Sequence, residues 1–200
     1  MRGPTIGVLA AFGFSLAIAS AACADTRCVG VLAGRDVQGN LVVPNGALCT
    51  LRDTVVKGDV LVGPDAGLLV SDGVALLGNL RTDRCDYVSL EPLAPAARIV
   101  VAGNIDIEEC RESSGKLFSG GRVIVGGNFV CRENAAPCYA VSLTVGGDLR
   151  VAHNSGGPSF IEGSTVAGNL ECTGNSGVSD YGSSNTVAGE RLGECAGLSN

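Results

Sequence analysis

Along the chain, aliphatic residues stand two positions before and two positions after a recurring glycine, and the residue that follows the glycine is polar. The pattern runs through DVQGNLVV, VVKGDVLV, ALLGNLRT, VVAGNIDI, IVGGNFVC, TVGGDLRV, TVAGNLEC and TVAGERLG. Its glycines are Gly39, Gly58, Gly78, Gly103, Gly127, Gly147, Gly168 and Gly189, separated by 19, 20, 25, 24, 20, 21 and 21 residues. The leading column reads Val37, Val56, Leu76, Val101, Val125, Val145, Val166 and Val187. The trailing column reads Leu41, Val60, Leu80, Ile105, Phe129, Leu149 and Leu170, until Arg191 breaks it. Residues two apart on an extended chain point to one side, so each column predicts a buried face with the period of a strand, not of a helix.

One strand signal repeated about every twenty residues suits a coil whose next turn lies roughly 4.8 Å above it. The expected fold is all-β: a single-stranded right-handed parallel β-helix of about eight coils, one per repeat glycine. Asn40, Asp59, Asn79, Asn104, Asn128, Asp148 and Asn169 follow the first seven glycines, and Glu190 follows the last. Stacked amides there would donate to the carbonyl of the next coil, forming a ladder at a tight corner. Gly-Asn also suits a corner because both residues tolerate positive φ. Hairpin turns of a β-sandwich would use Gly-Asn equally well, but they do not require invariant aliphatic flanks. A leucine-rich repeat has a similar period but places its asparagine after the leucines.

These repeats resemble those of bacterial secreted proteins that carry Gly-Asn-Leu-x-Cys units and, more loosely, the Val-x-Gly repeats of the polymer-forming bactofilins. The resemblance covers Cys28 to Cys195 and implies a β-helix, without implying a function. The leader and the cysteines depart from the bactofilin pattern and speak against a cytoskeletal role.

The first residues place Arg2 before an apolar run from Ile6 to Ala19 and then small residues, the order of a secretory signal peptide over 1–24. That run is shorter than the ~20 apolar residues of a spanning helix. Ala22-Cys23-Ala24 fits a small-x-small cleavage site, whereas Ser20-Ala21-Ala22-Cys23 is an imperfect lipoprotein box. A soluble secreted or periplasmic chain is therefore preferred to a lipid-anchored envelope protein, and membrane attachment would require lipidation of Cys23.

After Cys23 eight cysteines remain, an even number in a chain expected to leave the reducing cytosol. Stacking selects Cys85–Cys110, because each lies seven residues after its repeat glycine in consecutive coils. Cys131 and Cys172 share an offset of four but have the Gly147 coil between them. Cys28–Cys49, Cys131–Cys138 and Cys172–Cys195 then complete the set. No Cys-x-x-Cys pair occurs and His153 is the one histidine, which excludes the usual zinc spacing. With 30 glycines, 5 Phe, 3 Tyr and no Trp, small aliphatic side chains must do the packing. The formal charge of −6 becomes −7 without Arg2, which disfavours nucleic acid as a partner.

Residues 25–200 read as one domain with longer coils around 84–97 and 108–121 and a capping coil near 189–200, where Glu190, Arg191 and Gly193 interrupt the columns together. The capping coil predicts a monomer or small oligomer. The longer coils hold the densest ionisable cluster: Asp86, Glu91, Glu108, Glu109 and Glu112 form a candidate surface site, with Arg84, Arg111 and Lys116 nearby. Paired carboxylates could act as acid and base or hold calcium, and a solvated surface of mixed charge explains them equally. No nucleophile elbow, phosphate loop or cofactor motif is present. The favoured reading is a non-catalytic secreted or envelope protein that presents a rigid solenoid face. The alternative is a small carbohydrate-active or polysaccharide-binding β-helix.

Overall fold

The computed structural model describes residues 24–94, 97–111 and 117–199. The leader with Cys23, and Glu112 of the candidate cluster, lie outside the described residues.

The chain is a parallel β-solenoid whose coils run across three faces, most of them with one short strand on each. The coil that begins at Leu41 runs through Leu41–Val43, Leu48–Arg52 and Val55–Val56 before Val60–Val62 starts the next. The first face holds nine parallel strands from Thr26–Arg27 to Arg191–Gly193. On it Leu41, Val60, Leu80, Ile105, Phe129, Leu149, Leu170 and Arg191 pair in one unbroken register. The third face stacks Val37, Val56, Leu76, Val101, Val125, Val145, Val166 and Val187 in the same way. Both repeat columns are thus continuous stacks, closed inside the solenoid by the second face, where Cys49, Leu68 and Val88 and then Leu51, Val70 and Leu90 point inward.

The expected parallel solenoid of about eight coils is the fold observed, and the repeat signal marks its third face and the first face that follows. The second face went unseen because its strands begin nine residues after Gly39, Gly58 and Gly78 but 14, 11, 12 and 10 residues after Gly103, Gly127, Gly147 and Gly168. Leu117–Val125 and Cys138–Val145 even run on without a break into the third face.

The Gly-Asn corner is built differently from the expectation. Neither the repeat glycines nor the ladder residues adopt a positive φ. Glycine is required by close approach: a Cβ on Gly78 or Gly103 would stand 2.6 Å from the ladder oxygen of Asp59 or Asn79 in the preceding coil. The ladder oxygen accepts the backbone N–H of the next rung, and the amides of Asn79 and Asn104 also donate to the rung before them, at 3.0 and 3.1 Å. Asn40 Oδ1 accepts the Asp59 N–H at 2.9 Å, Asp59 Oδ1 that of Asn79 at 2.8 Å, and Asn79 Oδ1 that of Asn104 at 2.9 Å. The series continues through Asn128, Asp148 and Asn169 to the Glu190 N–H. Only an oxygen at the right height is needed, which explains why aspartate substitutes for asparagine at two rungs.

A second ladder lies at the corner between the first and second faces. Cys110 N–H donates to Asn134 Oδ1 at 2.9 Å, Asn134 Nδ2 to Asn154 Oδ1 at 2.8 Å, and Asn154 Nδ2 to Asn175 Oδ1 at 3.0 Å. Asn175 Nδ2 then donates to Glu194 at 2.9 Å. Asn134 and Asn154 are buried, and their amides also reach the Ile107 and Cys131 carbonyls. An unpaired amide at this depth would cost about 1–3 kcal/mol, so the corner depends on the whole series.

Four cysteine pairs brace the solenoid, with Cα separations of 5.5, 4.4, 6.4 and 5.1 Å: Cys28–Cys49, Cys85–Cys110 and Cys172–Cys195 join consecutive coils, whereas Cys131–Cys138, third in that order, joins two faces of one coil. Val151 stands between Cys131 and Cys172 on the first face. Replacing Cys85 and Cys110 together by alanine is expected to cost about 2–4 kcal/mol. Urea denaturation of the paired variant checks this, and an unmoved midpoint would show that the bridge constrains nothing.

At the C-terminal end the solenoid is closed. Arg191 occupies the apolar column but turns its guanidinium to the carbonyls of Leu198 and Ser199, both at 2.8 Å, and of Asn185 at 2.6 Å. The 3-10 helix Glu194–Gly197 packs across the last first-face strands, and Asp180 accepts the Ser199 N–H.

Candidate functional site

The outward side of the first face carries the chemistry. In strand Ile105–Glu108, Ile105 and Ile107 point inward, so Asp106 and Glu108 project from the same side two residues apart. Asp106 sits in register between Arg81 of the coil before and Val130 of the coil after. Glu108 lies opposite Arg132 and forms an ion pair with it. Thr82 locks the strand end, its hydroxyl accepting the Glu108 N–H at 2.8 Å and donating to the Glu108 carbonyl at 3.1 Å.

Arg132 engages Glu108, while Asp106 Oδ1 is buried and accepts no hydrogen bond. Burial, then the neighbouring Glu108 carboxyl, push Asp106 up to about 6, against the opposing pull of Arg132 and Arg81. Asp106 therefore keeps its proton in mildly acidic solution. Because the folded value lies above the unfolded one, the pair favours folding most at low pH, and that contribution is lost as pH rises from about 4 through about 6. A carboxyl 13C titration is expected to show a midpoint near 6 for Asp106 that falls toward the ordinary aspartate range in Glu108→Gln. A midpoint unmoved by that change would mean the carboxyls do not interact.

The structure divides the cluster expected from sequence. Glu108 belongs to the Asp106 site. Glu109 occupies the adjoining corner at φ 54°, while Asp86 leads into the second-face strand Tyr87–Leu90 and Glu91 follows that strand at its far end. Glu91 and Glu108 thus stand on different faces. Arg111 reaches back to Asp65 at 3.0 Å, so the corner carries ion pairs between coils. Among the described residues no three His, Cys, Asp or Glu side chains gather as ligands of a metal ion would. The sequence reading missed Asp106, and also a second feature: Tyr139, Phe160 and Tyr181 stack on consecutive coils with ring centroids 4.9 and 4.8 Å apart. Phe160 is enclosed between the two tyrosines, so the stack presents mostly ring edges, with Tyr181 exposed at its end. Beside it lies a shallow depression of about 400 Å³ bordered by Pro137 and Pro158.

No family model matches this chain, and no curated protein or solved structure matches it either.

Proposed function

We propose that this protein is a non-catalytic structural module of an oxidising, extracytoplasmic compartment, where it presents a rigid solenoid face to an envelope or matrix component. The observation that carries this reading is the unbroken oxygen ladder from Asn40 to Glu190, which fixes the relative height of every coil along the rod. The four cysteine pairs support the compartment, since bridges of this kind persist where thiols are not kept reduced. Such a body holds outward side chains at fixed spacing, as a display surface requires.

One observation favours a second reading, action on a polysaccharide: a carboxyl that titrates near 6 beside a second carboxyl and two arginines is equipped for proton transfer. A single assay separates the two. The oxidised protein is incubated with isolated cell envelope and with a panel of acidic polysaccharides. Co-sedimentation with unaltered material supports the display role. Release of shortened chains, lost in Asp106→Asn, would replace it with catalysis.

A further inference from the structure

The two ends of the solenoid differ. At the C-terminal end Val178–Ser179, Thr186–Val187 and Arg191–Gly193 also pair on one side only, but the chain's own tail crosses this end: the 3-10 helix packs on the last strands, and Ser199 is held by Arg191, Asp180 and the Asn185 N–H. At the N-terminal end Thr26–Arg27, Gly30–Ala33 and Asp36–Val37 each pair with one strand only, that of the following coil. Their outer backbone donors and acceptors meet no other described strand. Apolar side chains gather at the same end: Val29 is 72%, Val31 68% and Leu48 50% exposed. Leu77, Leu93 and Leu192 are exposed singly elsewhere, whereas an open edge with exposed valines beside it is an association surface.

We infer that this end binds the same end of a second copy, giving a closed head-to-head dimer. Three strand edges on a triangular outline are satisfied together only by a partner with the same outline. A second copy supplies one, and its C-terminal end is closed, which leaves the N-terminal end. Charge is compatible with self-association, since the exposed Asp25, Arg27, Arg35 and Asp36 of the first coil sum to zero. A two-fold axis in the plane of the end sets one face's edge antiparallel to its own copy, the geometry in which identical edges exchange hydrogen bonds, and sets the other two faces against one another. Growth then stops at two copies, because the tail from Glu194 to Ser199 crosses each outer end. Cleavage near Ala24, as the leader predicts, would leave no preceding segment to cover the surface.

The test is sedimentation equilibrium of the exported protein over a wide concentration range, with its first residue read by intact mass. The expected result is a dimer whose dissociation constant rises roughly tenfold or more in Val31→Asp. It should be unchanged in Val31→Ile and in Leu192→Asp, which alters the closed end. Unchanged circular dichroism of Val31→Asp establishes that the coil still folds, and amide exchange should show Val29 and Val31 protected only in the dimer. A monomer at every concentration, a dimer indifferent to Val31→Asp, or assemblies longer than two copies would each overturn the inference.

Discussion

Truncation of Ile105 to alanine is expected to lower stability by about 2–5 kcal/mol, read as a fall in the urea midpoint at unchanged slope. Ile105 is fully buried in the middle of the first-face stack, with Leu80 below it and Phe129 above. The site cannot easily collapse, because the coil height is set by backbone pairing and by the ladder at Asn79, Asn104 and Asn128. The cavity would therefore persist, which places the loss toward the upper part of the range. The same truncation at Arg81, one residue along the neighbouring strand and exposed, should change stability by less than about 0.5 kcal/mol.

Substituting Gly147 by alanine should be comparably damaging, for a different reason. The new Cβ would overlap Asn128 Oδ1, the rung that accepts the Asp148 N–H at 2.8 Å, while the next obstacle, the Gly127 carbonyl oxygen, stands at 3.1 Å. Overpacking of about 1–3 kcal/mol is expected, together with loss of the displaced hydrogen bond. Because the obstacle is a side chain, Asn128→Ala removes it. The double variant should be less destabilised than the sum of the two single ones, with a coupling of about 0.5–3 kcal/mol. Strict additivity would mean that the glycine serves the backbone alone and that the ladder does not dictate it.

The repeat columns were legible because the constraint at Gly147 and its counterparts ties two inward residues to fixed offsets. Where no such tie exists, legibility fails, as on the second face. The second ladder was within reach: Asn134, Asn154 and Asn175 lie seven residues after Gly127, Gly147 and Gly168, the offset already noted for Cys85 and Cys110. The corner column changes from cysteine to asparagine while keeping its height, and attention to cysteine alone hid the continuation. The aromatic stack also had a signal, since Tyr139, Phe160 and Tyr181 are 21 residues apart. Asp106 had none. Its neighbours Arg81 and Arg132 lie 25 and 26 residues away, and its unpaired Oδ1 is a matter of side-chain geometry. Periodicity along a strand reports burial, but the chemistry of this site depends on which outward residues meet across coils.

The account rests on coils stacked in this register, and the cysteine pairing tests it most directly. Each of the eight cysteines from Cys28 to Cys195 falls in a different tryptic peptide, so every one of the 105 possible complete pairings gives a distinct set of linked masses. Mass spectrometry of the unreduced, trypsin-cleaved protein is expected to find Cys28 with Cys49, Cys85 with Cys110, Cys131 with Cys138 and Cys172 with Cys195. A peptide joining Cys131 to Cys172 would bring together two positions that the coil of Val151 separates, and would contradict the register on which the ladders, the core stacks and the Asp106 site all depend.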